Sequence, residues 1–158
     1  MKHDKPLRKH VHKLLESEDA HTGVDSAVKN VPPKKRGIVP KGGEHSIWQL
    51  VEHLRIAQED ILDFCLNPKY THRKWPEEYW PKSPAPPSAK AWNASLAAIK
   101  RDRERLQRIA NDPKIDLFAE IPHGAGQTYL RELLLAADHN AYHTGQIVTT
   151  RRLLGIWK

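Results

Sequence analysis

The sequence predicts an all-α domain, a four-helix bundle, on three observations. Proline lacks the amide donor and clashes with the preceding helical turn, and its positions leave four proline-free runs, 7–31, 41–67, 88–112 and 123–158. Apolar residues recur in each run at helical spacing. Sustained period-2 alternation and Asn-Gly hairpin signals are missing from all four.

The first run holds Leu7, Val11, Leu14 and Leu15, then breaks near Gly23, with a short helical turn expected around residues 25–28. The second opens on Ser46-Ile-Trp-Gln49, a capping box in which the serine hydroxyl and the glutamine side chain satisfy free amides of the first turn. Ile47, Leu50, Val51, Leu54, Ala57, Ile61 and Cys65 follow at helical spacing, and Asn67-Pro68 closes the helix. The third run is helical from about Ser88 to Ala110, with Leu96, Ile99, Leu106 and Ile109 facing inward. The fourth runs from Tyr129 to Leu154. Between the second and third helices, residues 67–88 form a connection rich in proline and aromatics (Tyr70, Trp75, Tyr79, Trp80). Antiparallel neighbours need only short loops. A connection this long spans a whole helix, so the second and third helices are expected to run the same way, an up-down-down-up bundle with the crossover packed along it.

A chain of 158 residues is sized for one domain, residues 1–158. Its core is expected over about 7–157, with residues 1–6 a loosely ordered basic tail. The most apolar stretch, 130–137, contains charge and is too short to cross a bilayer, so no membrane partner is expected. Residues 1–15 carry charge throughout, unlike a signal peptide. The single cysteine, Cys65, excludes an intrachain disulfide and fits a reducing cytoplasm, the expected location. Without an adjacent His or Lys it reads as a small buried hydrophobe.

Two quantities stand out, a formal net charge of +7 and ten histidines. His139 and His143 make H-x-x-x-H, and residues four apart share a helix face. In so histidine-rich a chain the spacing alone is weak, but the line Leu135, Ala136, His139, His143, Gln146, Ile147 is the inward one. Imidazoles aimed into a core cost several kcal/mol unless their nitrogens are satisfied. His53, on the second helix, is the natural third member. At 1.5 Å per residue it lies roughly 10 Å from that helix's start, and His143 about 16 Å from the end of the fourth helix, so antiparallel packing brings them to similar heights. Two readings follow: a shared divalent metal, or core histidines each bonded to serine, glutamine or backbone oxygen. Gly145, unfavourable inside a helix by about 1 kcal/mol relative to alanine, suggests close approach by another helix or a ligand. His3, His10 and His12 read as solvated, His45 precedes the capping serine, and His21, His72 and His123 fall in connections.

Ser46-Ile-Trp-Gln-Leu-Val-Glu-His53 together with Asp138-His-Asn-Ala-Tyr-His-Thr-Gly-Gln146 resembles the DinB/YfiT-like superfamily over about residues 7–157. The Trp75-Pro-Glu-Glu-Tyr-Trp-Pro81 loop and the Arg151-Arg-Leu-Leu-Gly-Ile-Trp157 tail look like one branch of it. The resemblance implies an up-down-down-up four-helix bundle and a metal held by His53, His139 and His143. It also implies metal-dependent enzymes, notably transferases using low-molecular-weight thiols such as bacillithiol or mycothiol. Three imidazoles leave a coordination position open, as catalytic zinc sites do, and suit zinc or nickel. Gln146, Asn140 and Asp138 are near enough in sequence to orient the ligands.

Three function classes are thereby in play. One is a metal-dependent thiol S-transferase or hydrolase acting on a small-molecule substrate. Another is a non-catalytic metal- or ligand-binding bundle, with a homodimer through an exposed aromatic surface. The third, nucleic-acid binding, has only charge behind it: Lys34-Lys35-Arg36, Lys100, Arg101, Arg103, Arg105, Arg108 and Arg151-Arg152. Asp102 and Glu104 interleave the longest run, the pattern of a solvated helix face, and no nucleic-acid-binding motif accompanies it, so this partner is disfavoured.

Overall fold

The computed structural model describes residues 4–16 and 18–157 of the chain. The described residues form five α-helices, α1 (Asp4–Glu16), α2 (Val24–Val28), α3 (Ile47–Leu66), α4 (Ala89–Asn111) and α5 (Tyr129–Leu153), with a 3-10 turn at Pro33–Lys35. There is no β-strand among the described residues; Glu120 and Thr128 form one isolated bridge. The four long helices make the expected bundle, and α2 is the short turn expected after Gly23. The first helix begins earlier than expected: Asp4, Lys5 and Pro6, assigned to a loose tail, belong to α1. Proline is tolerated there because first-turn amides have no intrahelical acceptor. Met1–His3 of that expected tail, with His3, lie outside the described residues.

Helix starts follow local chemistry. Ser46 accepts from the Gln49 amide while the Gln49 side chain accepts from the Ser46 amide, completing the capping box of α3. Ser88 caps α4 and Thr128 caps α5 in the simpler one-bond form.

The order of cross-helix contacts gives the helix directions. Glu52 and Gln58 of α3 meet Ser95 and the Ile99 carbonyl of α4, so these two run the same way. Gln58 meets Asn140 and His53 meets His143, so α5 runs against α3. Arg8 donates to the Ala110 carbonyl and Gln107 donates to the His12 carbonyl, so α1 runs against α4.

The apolar core is divided into two clusters. One joins Val11 and Leu15 to Leu62, Leu106 and Leu133; the other joins α2 to Ile47, Leu54, Trp92 and Ile147. A polar layer lies between them. The Gln58 amide donates to the Ile99 carbonyl (2.7 Å) and accepts from Asn140 (2.9 Å), and Thr144 donates to the Asn140 carbonyl (2.6 Å). A fully bonded layer of this kind avoids the penalty of unpaired buried amides. The crossover packs along the bundle as expected, with Tyr70 against the first cluster and Trp80 against the second.

Candidate metal centre

At the level of this polar layer, α3 supplies His53 and α5 supplies His139 and His143. The Nε2 atom of His53 lies 3.1 Å from Nε2 of His143 and 3.1 Å from Nε2 of His139. The rings are splayed at 58–80° to one another, so they converge on a point rather than stack. His53 and His143 are buried and His139 is half-buried. Together they form a cluster that could hold a metal ion.

Tautomers decide what this convergence means. The His53 Nδ1–H donates to the carbonyl oxygen of Tyr79 (2.8 Å), and the His143 Nδ1–H donates to Oε1 of Gln146 (2.7 Å). Burial is the main force depressing all three imidazoles, taking His139 down to about 3 and His143 down to about 4, with His53 shifted in the same direction. Near neutral pH each ring is therefore uncharged and carries one proton. Since His53 and His143 spend theirs on Nδ1, their Nε2 atoms face each other as bare lone pairs. No hydrogen bond can join that pair, so the two lone pairs stand where they could hold a cation. For metal–nitrogen bonds of about 2.0–2.1 Å, adjacent ligand nitrogens sit roughly 2.9–3.4 Å apart, which brackets the observed separation. In His53 and His143 the Nδ1 is satisfied by a protein oxygen, as the core-histidine reading has it, and the Nε2 stays able to take a metal.

The surroundings differ in part from expectation. Gln146 orients a ligand as expected, whereas Asn140 and Asp138 do not. Asn140 points across the bundle to Gln58, and Asp138 lies on the exposed side of α5. The sequence reading missed three contributors. The Tyr79 carbonyl fixes His53, Trp80 stacks on the His53 ring at 3.9 Å and 2°, and His45 stacks on Trp80 at 4.1 Å. Only the aromatic richness of 67–88 hinted at these contacts. Among the described residues, the three rings bond to a backbone carbonyl, to a glutamine and to one another rather than to a carboxylate.

On the outer side, Trp75 approaches His53 edge-on at 6.4 Å and Tyr142 approaches His143 at 4.9 Å, and both are largely exposed. A groove of about 400 Å³ runs alongside, between residues 42–45 and the Tyr142, Gly145, Gln146 and Thr149 face of α5. No helix approaches Gly145; a methyl group there would meet nothing within 4 Å. The glycine lines open space instead, which removes the helix-contact explanation and retains the ligand one.

Residues outside the site behave more simply. Cys65 is buried with its thiol pushed up to about 12, mainly by burial, so it is no nucleophile at neutral pH. Arg101 and Arg105 pair with Asp102, Arg103 pairs with Asp25, and Arg151 is buried against backbone carbonyls. Four of the basic residues that raised nucleic-acid binding are therefore engaged within the fold. Among the described residues no helix is long and apolar enough to cross a membrane.

A helical bundle with three inward imidazoles on two antiparallel helices, two of them fixed from behind and flanked by open aromatic residues, defines a class: helix-bundle proteins with a candidate three-histidine metal centre. The model of the DinB superfamily matches residues 16–147, which contain all three histidines, and the chain belongs to that superfamily. The match leaves out most of α1 and the Arg151–Trp157 tail. No curated protein and no solved structure matches the chain.

Proposed function

We propose that the chain binds one divalent metal through His53, His139 and His143, and uses it as a metal-dependent enzyme. The reaction best suited to the site is transfer of a low-molecular-weight thiol to an electrophilic small molecule, with hydrolysis of a related substrate as the neighbouring chemistry. The observation that carries this is the pair of bare Nε2 lone pairs at 3.1 Å, each fixed by a bonded Nδ1. Imidazole donors suit zinc or nickel. Such an ion supplies Lewis acidity at neutral pH, making a thiol or water a stronger nucleophile without a separate base.

The chain's own residues do the rest. The Tyr79 carbonyl and Gln146 hold two ligands in one tautomer, and second partners of this kind fix ring orientation. Burial keeps the imidazoles neutral, so protons do not compete for Nε2 near pH 7. Trp75 and Tyr142 provide apolar edges at the mouth, and the groove beside Gly145 has room for the body of a small substrate.

The test loads metal-stripped protein with Zn2+ or Ni2+ and screens bacterial thiols against a model electrophile and a model ester. The reading expects turnover that requires metal and disappears in His143→Ala. Equal turnover with and without metal would reject it. Full metal loading without turnover of any thiol or ester would favour the non-catalytic binding bundle.

A further inference from the structure

The crossover bonds the site at His53, and three of its residues are attached to the bundle at one buried carboxylate. Asp60 lies two helical turns beyond His53 on α3, about 10 Å along the same face. It is 9% exposed. The Tyr79 hydroxyl donates to Asp60 Oδ2 at 2.6 Å, the Tyr70 hydroxyl donates to Oδ1 at 3.2 Å, and the Arg73 guanidinium lies 3.4 Å from Oδ1. Arg73 is shared with Glu59. Three crossover residues thus meet one acid, and the shortest bond is made by Tyr79, whose carbonyl holds His53. The next residue is Trp80, stacked parallel on the His53 ring.

We infer that Asp60 is a positioning residue for the metal-facing imidazole of His53, acting through Tyr79. Its carboxylate anchors the Tyr79 ring, which fixes where the Tyr79 carbonyl stands. That carbonyl holds the proton of His53 on Nδ1 and keeps Nε2 aimed at His139 and His143. Charge-assisted hydrogen bonds to a buried carboxylate are stronger than neutral ones, which suits an anchor for a strand-free segment. Tyr70 shares the acid but does not touch His53, so it separates anchoring the crossover from aiming the ligand.

The inference rests on the triad being the metal site, and the experiment keeps the two apart. The full-length chain, stripped of metal, is titrated with Co2+ alone and then Zn2+ alone, in native form and as His143→Ala, Asp60→Ala, Tyr79→Phe and Tyr70→Phe. Imidazole 15N spectra of the metal-free forms report the His53 tautomer independently. Asp60→Ala and Tyr79→Phe are expected to weaken binding on the order of tenfold, to shift the Co2+ visible bands, and to give a mixed His53 tautomer. Tyr70→Phe is expected to bind within about twofold of native with the tautomer unchanged, by the same orientation argument. Native affinity and a fixed tautomer in both Asp60→Ala and Tyr79→Phe would overturn the inference. Equal losses in Tyr70→Phe and Tyr79→Phe would also overturn it, since both would then report general loosening. If the native chain takes up no Co2+, the metal reading fails while the 15N spectra still decide the positioning.

Discussion

His143 is held at both ends of its ring, with Nδ1 on Gln146 and Nε2 in the triad, and its tautomer follows from the first contact alone. Replacing Gln146 with alanine is expected to weaken metal binding roughly ten- to a hundredfold while leaving the fold intact, measured by competition with a chelator of known affinity. Gly145 makes the opposite case. Alanine there meets no neighbour, so Gly145→Ala is expected to stabilise the chain by about 0.5–1 kcal/mol in denaturant unfolding. A loss of stability would mean that something else covers that face of α5. At this scale the sequence was partly readable. H-x-x-x-H spacing and the resemblance pointed to His139 and His143, and helix heights pointed to His53. Asn140 misled because nearness in sequence is not a shared face: one residue from His139, its side chain turns about 100° to reach Gln58. His45 carried no local signal at all, since its link to the site exists only once Trp80 is in place.

Elements whose limits are set by local chemistry were legible from sequence. The capping box at Ser46, the stop at Asn67 and the start at Ser88 all depend on residues within four positions of each other. Ser46 also donates to the Pro84 carbonyl, tying the start of α3 to the end of the crossover. Ser46→Ala is expected to cost about 1–2 kcal/mol, at the upper part of the range for a lost cap, because the buried hydroxyl serves two elements. Thermal or denaturant unfolding measures this, and a change below about 0.3 kcal/mol would deny the double role. The crossover was legible only in its length and packing. Its chemical contribution, the Tyr79 carbonyl and the Trp80 face, belongs to irregular backbone whose path is set by Asp60 and by the bundle surface rather than by any repeat.

For the whole molecule, two apolar clusters enclose a polar layer, and the histidines make that layer sensitive to acid. In the folded chain, burial holds His139 at about 3 and His143 at about 4, while in the unfolded chain both return toward the ordinary value near 6.5. Between those limits the unfolded state binds more protons, so stability rises with pH across that window. The stability of the metal-free protein is therefore complete above about pH 6.5 and falls progressively as the solution is acidified toward pH 4. Unfolding midpoints measured from pH 7.5 to 4 should show this slope, and it should flatten in His139→Gln. If the triad holds an ion as proposed, that ion present at about a thousand times its Kd is expected to stabilise the folded state by roughly 4 kcal/mol, worth about 8–16 °C in Tm for a domain of this size.

The most direct measurement is calorimetric titration of Zn2+ into the chelator-stripped chain, repeated with alanine at His53, His139 and His143 in turn. The account predicts one ion per native chain and loss of that binding step in each of the three variants. A native chain that takes up no zinc, or variants that all retain the full step, would contradict it.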